Sequence, residues 1–385
     1  MSPAPMNTTD GAAASLSFTT QPSNIAAGAL MTPGVQVTAL DAMGNKATSF
    51  AGSVTVALGT PNPNSGKLYG TTTAVATGGV AVFSDLTVDS AATGYTLQAL
   101  SSSLSGPPTN PFSVAGAPSV VLIGAGDIAD STTGKQAATN ALLQANPLAT
   151  VFAAGDQAYD SGTVAQYQSF YDPTWGQQKA RTQPVPGNHE YLSGAVGYWQ
   201  YFSPTVSVMG DSGKFYYSYE LGTWHIIALN GEISTSAGSA QELWLKANLA
   251  ASPKTCTLAY IHRPRFSAGH HGSNGFMQQL WKDLYNAGAE LWVAGHNHDY
   301  ERFAPQNADS LGVADPVRGI REFVVGTGGA AAEAWSTPPP IANEEVWANP
   351  TWGVLKLTLY ATTYTWEFVP IAGQTFTDQG SGSCH

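Results

Sequence analysis

The 385-residue sequence is short of charge. Lysine and arginine number 15 and aspartate and glutamate 26. Only 11% of residues are charged, against roughly 25% in an average soluble chain, and the balance is 15 − 26 = −11. An acidic chain so poor in cations does not gather nucleic acid or an anionic membrane by bulk charge. No run approaches the ~18 apolar residues needed to cross a bilayer. Residues 1–15 lack the charged-then-apolar layout of a signal peptide, so if the protein is secreted or periplasmic its signal is absent from this chain. Cysteine is equally scarce. Cys256 and Cys384 are too few for a cysteine-based zinc site and enough for one disulfide. Hydrophobic residues make up 43% of the chain, enough for a core and against wholesale disorder. The length suits two domains better than one.

The scarcities are uneven along the chain. All ten tryptophans lie at or beyond Trp175, all eight histidines at or beyond His189, and the first arginine is Arg181. Residues 1–115 hold six charged side chains: Asp10, Asp41, Lys46, Lys67, Asp85 and Asp89. This front segment is rich in Thr, Val, Ala and Gly. It reads as short strands at Ser15–Thr19, Gly34–Leu40, Gly52–Leu58, Gly79–Val88 and Tyr95–Leu100, with turns at 41–45 and 61–66. An antiparallel β-sandwich is expected over 15–115, after a flexible 1–14 and before a Pro-rich linker at 116–118. The pattern resembles the Ig-like modules of bacterial surface and secreted proteins. Such a module is either a passive spacer or a contact for a surface or glycan. No catalytic constellation precedes residue 118.

From Ser119 the texture becomes strand alternating with helix, which predicts an α/β domain over 119–385. Five apolar runs end in metal-type ligands. They are 120–125 before Gly126-Asp127, 150–154 before Gly155-Asp156, 183–186 before Gly187-Asn188-His189, 255–261 before His262, and 291–294 before Gly295-His296-Asn297-His298. Helices are expected at 135–146, 163–171, 239–250 and 274–287. A hairpin at 214–229 and strands at 320–326, 353–360 and 362–369 imply a second sheet. Ligands in such folds sit beyond the carboxyl ends of the strands.

Carboxylates, an amide and imidazoles suit hard and borderline metals, and six or more of them exceed what one tetrahedral ion needs. A dinuclear site with one bridging aspartate is the economical reading. These ordered motifs resemble the metallophosphoesterase (calcineurin-like) superfamily. Asp127 is followed by Ile128-Ala129 rather than by a histidine two residues on, and Tyr159 stands three residues after Asp156. That substitution, with Gly-His-Asn-His-Asp-Tyr-Glu-Arg at 295–302, resembles the purple acid phosphatase branch over roughly 119–370.

The resemblance implies a four-layer αββα domain and two metal ions. Asp127, Tyr159 and His298 would hold Fe(III). Asn188, His262 and His296 would hold Zn, Mn or Fe(II), and Asp156 would bridge. It implies in-line attack on a phosphate monoester by a metal-activated hydroxide, with no phosphoenzyme. His271 is favoured over His270 to protonate the leaving alkoxide. His189 would bind phosphate, and Glu190 would orient it from behind. The partner implied is a small phosphorylated substrate. A phosphodiesterase or nucleotidase would use the same ligands. A surface binding protein with a decayed phosphatase domain is a rival from another class, against which the intact ligand set argues.

Other residues carry less. His225 sits in an apolar strand and reads as structural. Arg263 and Arg265 flank the His262 loop and touch either substrate phosphate or the protein surface. Arg302 reads as a structural ion pair. The Trp- and Pro-rich stretch 333–352 either overhangs the site or packs on the second sheet. The Gly/Ser-rich tail at 378–383 has no evident reason to be ordered, so Cys384 beyond it reads as a tether joined to Cys256.

Overall fold

The structure is a computed structural model that describes residues 11–102, 104–116, 119–206, 209, 212–333 and 341–385. The flexible segment expected at 1–14 and the linker at 116–118 therefore fall largely outside the described residues, as does 334–340 of the Trp- and Pro-rich stretch. The chain divides into two compact units. One comprises Met1–Pro118 with Thr363–Thr365 and Gln379–Gly382; the other comprises Ser119–Thr362, Trp366–Asp378 and Ser383–His385.

The front unit is built of short strands. One sheet orders Ser15–Thr20, Val35–Leu40 and Val80–Phe83; another orders Leu104–Ser105, Leu97–Ser101, Ser53–Leu58 and Thr73–Val75. A third places Phe112–Ala115 between Ile25–Ala26 and Ala92–Tyr95. Burial alternates as a half-covered sheet requires: Val54 and Val56 are buried between exposed Ser53, Thr55 and Ala57. At the 41–45 turn the Asp41 carboxylate accepts the Met43 and Asn45 N–H groups, both at 2.9 Å. The long strand expected at 79–88 breaks in two. Its Asp85 carboxylate takes the Thr71 N–H at 2.9 Å and hydroxyl at 2.8 Å instead of continuing the ladder.

Two larger sheets follow. The first runs in the order Thr182–Val185, Thr150–Ala154, Val120–Ala125, Gly353–Leu359, Thr363–Pro370, Gln379–Ser383. Its first three strands are mutually parallel, and Val120–Ala125 pairs antiparallel with Gly353–Leu359. The second sheet runs Tyr217–Leu221, Trp224–Ala228, Cys256–Tyr260, Leu291–Ala294, Arg321–Val325, Tyr300–Phe303, Glu344–Ala348, with its four central strands parallel in the order Trp224–Ala228 to Arg321–Val325.

Alternation along one strand shows how the layers stack. Ala259 and Ile261 point into a core shared with Leu245, Leu280, Trp281 and Leu284 of the helices Ala240–Ala251 and Gln278–Asn286. Tyr260 between them points the other way, packs on Phe152 of the first sheet at 5.9 Å, and donates to the Gln183 carbonyl at 3.1 Å. Helix Ala240–Ala251 starts where the Ser239 hydroxyl accepts the Glu242 N–H. Helix Lys135–Gln144 flanks the first sheet. It ends where the Arg181 guanidinium caps the Leu143 and Asn146 carbonyls at 2.8 and 3.0 Å.

Several expectations change. The strands expected at 353–360 and 362–369 join the first sheet, Gly353–Leu359 pairing directly with Val120–Ala125, and not the second. The helix expected at 163–171 is a single capped turn, Val164–Gln166, followed by a wider turn at Tyr167–Tyr171. Strands Tyr300–Phe303 and Glu344–Ala348 extend the second sheet beyond what periodicity indicated. The Gly/Ser-rich tail is not loose: Gln379–Ser383 is the outer strand of the first sheet. The Cys384 N–H bonds the Thr362 carbonyl at 2.8 Å, and its sulfur is joined to Cys256.

Candidate metal centre

The parallel strands of both sheets deliver their ligand-bearing loops to one place. The strands ending at Ala125, Ala154 and Val185 release Asp127, Asp156 and Asn188-His189; those ending at Tyr260 and Ala294 release His262, His296 and His298. The turns are tight. Asp127, Asp156 and His296 all take left-handed backbone conformations, at φ 58°, 48° and 74°, which L-residues with a Cβ adopt at a cost. Two glycines allow the approach. Gly155 has φ 84°, and a Cβ there would run into the His262 ring; a Cβ at Gly187 would run into the Asp156 carboxylate.

Two groups of donors face each other across Asp156. In the first, the Tyr159 hydroxyl lies 2.9 Å from Asp127 Oδ1, 3.0 Å from His298 Nε2 and 3.3 Å from Asp156 Oδ2. In the second, His262 Nε2 lies 3.0 Å from Asn188 Oδ1 and 3.2 Å from Asp156 Oδ2. His296 completes it, with ligand atoms of Asp156, His262 and His296 within 4.8 Å of one another. The structure thus brings together all seven residues expected as ligands.

The imidazoles are aimed by their far nitrogens. A carbonyl oxygen only accepts, so His262 Nδ1 donates to Ala154 O at 2.9 Å and His298 Nδ1 to Ala331 O at 2.6 Å. Each Nε2 is left turned toward the oxygens. Glu190 is fully buried behind the loops and accepts the N–H groups of Asp156, Gly187 and Gln157 at 2.8, 2.8 and 2.9 Å. It therefore fixes the Asp156 backbone, whereas the sequence reading gave it the task of orienting His189. Burial and the nearby Asp156 carboxylate push Glu190 up to about 7.

Protonation follows the same geometry. Burial would lower the His262 pKa, but Asp156 outweighs it and holds the imidazole at about 10. Burial and Asp127 act likewise on His298, which rises to about 9. Burial opposes ionisation of Asp156, yet His262 and His189 leave its carboxyl below the usual range. Burial and the Asp127 charge raise the Tyr159 phenol well above its ordinary value. His262 Nε2 faces two oxygens at once, and Tyr159 faces two carboxylates. Both arrangements require positive charge between the partners, supplied by a proton or by a cation in its place. This donor set of carboxylates, phenol, amide oxygen and imidazoles fits a pair of hard or borderline metal ions.

At the rim, His189 donates from Nδ1 to the Asp160 carbonyl at 2.6 Å and lies against Tyr159. The His271 ring stacks on His296 at 4.4 Å, and the His271 backbone N–H donates to Asn297 Oδ1 at 2.7 Å. His271 Nε2 meets Glu333 at 2.8 Å, and His270 meets the same carboxylate at 3.5 Å. Glu333 and Asn297 were missed by sequence reasoning. Asn297 lies inside the last motif, and Glu333 opens the Trp- and Pro-rich stretch.

The two arginines separate. Arg265 is buried and bonded to Gln278 and to the Ser310 carbonyl. Arg263 reaches inward, with Nη1 3.0 Å from His296 Nε2, held by both oxygens of Glu232 at 2.7 and 2.9 Å. His225 joins Glu220 and Asn248, away from the donors. Arg302 pairs with Asp378 and Glu345.

The calcineurin-like phosphoesterase family profile matches residues 80–300. A probable purple acid phosphatase 20 of Arabidopsis thaliana is 28% identical over 175 residues, 39% of this chain and 41% of that protein. The human acid phosphatase type 7 is 28% identical over 146 residues, 31% of this chain and 32% of that protein. The chain thus matches less than half the length of these relatives. Among solved structures, a purple acid phosphatase from yellow lupin (Lupinus luteus) seeds superposes with TM-score 0.56 and 17% identity, covering 96% of this chain and 74% of that one.

Proposed function

The chain belongs to the calcineurin-like phosphoesterase family, and from that footing we propose that it is a dinuclear phosphatase of the purple acid phosphatase kind, acting on phosphate monoesters. The observation that carries the proposal is the pair of donor groups meeting at Asp156. Asp127, Tyr159 and His298 would hold Fe(III); Asn188, His262 and His296 would hold Zn, Mn or Fe(II); Asp156 would be shared. When bound, the two metals supply positive charge to the phosphate oxygens and acidify a water.

The chain's own groups do the rest. His189, at the rim beside Tyr159, binds a phosphate oxygen. His271 donates its proton to the departing alkoxide oxygen. Its stack on His296 and its Glu333 partner support it over His270, which is the more exposed and makes the longer contact with Glu333. The Cys256–Cys384 disulfide supports a secreted or periplasmic location. The alternating burial of the front strands supports a β-sandwich of the Ig-like kind, to which we assign the role of a spacer.

The test is metal analysis of purified protein together with hydrolysis of p-nitrophenyl phosphate and bis-p-nitrophenyl phosphate. Two metals per chain with faster monoester turnover is expected. Zero or one tightly held metal ends the dinuclear reading, and faster diester turnover makes the protein a phosphodiesterase.

A further inference from the structure

A cavity of about 720 Å³ opens beside the metal centre, lined by Glu232, Ser234, Thr235, Arg263, Gly275 and Phe276 among others. It is far larger than a phosphate group requires and falls in the range of small-molecule sites. Arg263 joins the two places. It lines the cavity, and its Nη1 lies 3.0 Å from His296 Nε2. A monoester seated at the donor groups with its organic group on the Arg263 side would extend that group into the cavity.

The lining indicates what that group is. Arg263 is locked to Glu232 through two hydrogen bonds, at 2.7 and 2.9 Å, so the pair is neutral, and no lysine lines the cavity among the described residues. It offers no net field for a second phosphate. It does offer hydroxyls, with Ser234 and Ser236 in mutual contact at 3.0 Å, and the carboxylate of Glu232 as an acceptor. Thr235 is spent on the Phe276 carbonyl at 2.6 Å, an anchor that holds the phenylalanine loop against the 234–236 loop. The Phe276 ring is 80% exposed at the cavity. A bare aromatic over a hydroxyl-lined hollow suits a flat ring joined to a polyol.

We propose that this cavity is the subsite for the organic part of the substrate, that it selects phosphate monoesters of neutral ring-bearing polyols such as nucleosides, and that Arg263, anchored by Glu232, positions the ester between metal centre and cavity. This rests on the phosphatase reading. The probes are adenosine 5′-monophosphate against methyl phosphate, two alkyl monoesters differing in their organic group, and adenosine itself for binding by calorimetry. Wild type is expected to favour the nucleotide in kcat/KM by about tenfold or more. A Cβ at Gly275 would meet nothing within 4 Å, so Gly275→Trp adds a bulky ring to the cavity lining without a backbone clash at the Cβ. It should cut the nucleotide-to-methyl ratio by about tenfold and abolish adenosine binding, while Phe276→Ala cuts the ratio by roughly threefold or more. Thermal melts check that both variants fold.

Failure of wild type to bind adenosine, or a ratio and adenosine affinity unmoved in the folded variants, overturns the subsite. Should metal-replete wild type hydrolyse no ester at all, the phosphatase reading falls, and adenosine calorimetry on wild type and variants still decides whether the cavity binds such a ligand.

Discussion

Tyr159 is the residue on which the identity of one metal turns. Its phenol is buried beside Asp127 and Asp156 and held well above its ordinary pKa, so it keeps its proton unless a strongly charged cation displaces it. With Fe(III) bound, the protein should show a visible absorption band that Tyr159→Phe removes; a colourless wild type carrying two metals but no iron would refute only the iron assignment. His271→Ala should slow hydrolysis of alkyl phosphates by roughly 10²–10⁴ and affect p-nitrophenyl phosphate far less, since that leaving group needs little protonation. Equal losses on both would remove His271 from the role of acid.

Glu322 makes a different point. Burial pushes its carboxyl up to about 8, although the Arg265 and Phe266 N–H groups pull the other way. Between roughly pH 4.3 and 8 the unfolded chain has released this proton while the folded chain keeps it, so this contribution to stability falls as pH rises. Glu322→Gln should flatten the decline of unfolding free energy between pH 5 and 8, which denaturant titrations at several pH values would measure. Residues with a motif around them, such as Asp127 or His296, could be found in the sequence. Glu322, Glu232 and Glu333 could not, because an isolated glutamate carries no mark of the backbone it will meet.

At the scale of elements, the strands that carry the ligands were legible because each is a short apolar run closed by glycine or followed directly by its ligand. The strands Tyr300–Phe303 and Gln379–Ser383 were not. The first holds Glu301 and Arg302 and the second is Gly/Ser-rich, so neither shows the pattern of a buried strand. Their pairing comes from neighbours already in place. The short helix Asn188–Tyr191 was hidden for another reason, since its first residue is also an expected ligand. The glycine turns are the most exacting elements. Gly155→Ala forces a side chain into a left-handed position and against His262. It should cost about 1–3 kcal/mol and sharply reduce metal content. Retained metal stoichiometry in the folded variant would show that the loop yields elsewhere.

For the molecule as a whole, the disulfide is the one covalent long-range constraint. It joins Cys256, which begins the strand leading to His262, to Cys384, 128 residues away. Closing so long a loop contributes about 4–5 kcal/mol in the chain-entropy description, and engineered bonds often give less. Reduction should lower the melting temperature more than it lowers turnover, because neither sulfur reaches the donor groups. Comparing thermal melts and activity before and after reduction would show it, and a larger loss of activity than of stability would mean that the strand transmits strain to His262. That the two cysteines pair was readable from the place of Cys384 beyond a Gly/Ser-rich tail. That the intervening tail is a sheet strand was not.

The left-handed backbones of Asp127, Asp156 and His296 set the course of any laboratory evolution of this protein. At each, glycine or asparagine would relax the main chain by up to roughly 1–2 kcal/mol, while on the proposed function aspartate or histidine is needed as a metal ligand. A library screened only for heat resistance or expression yield has an incentive to replace these three and would accumulate well-behaved, inert descendants. A library screened for turnover cannot take that route, and must find its heat resistance far from the strand ends.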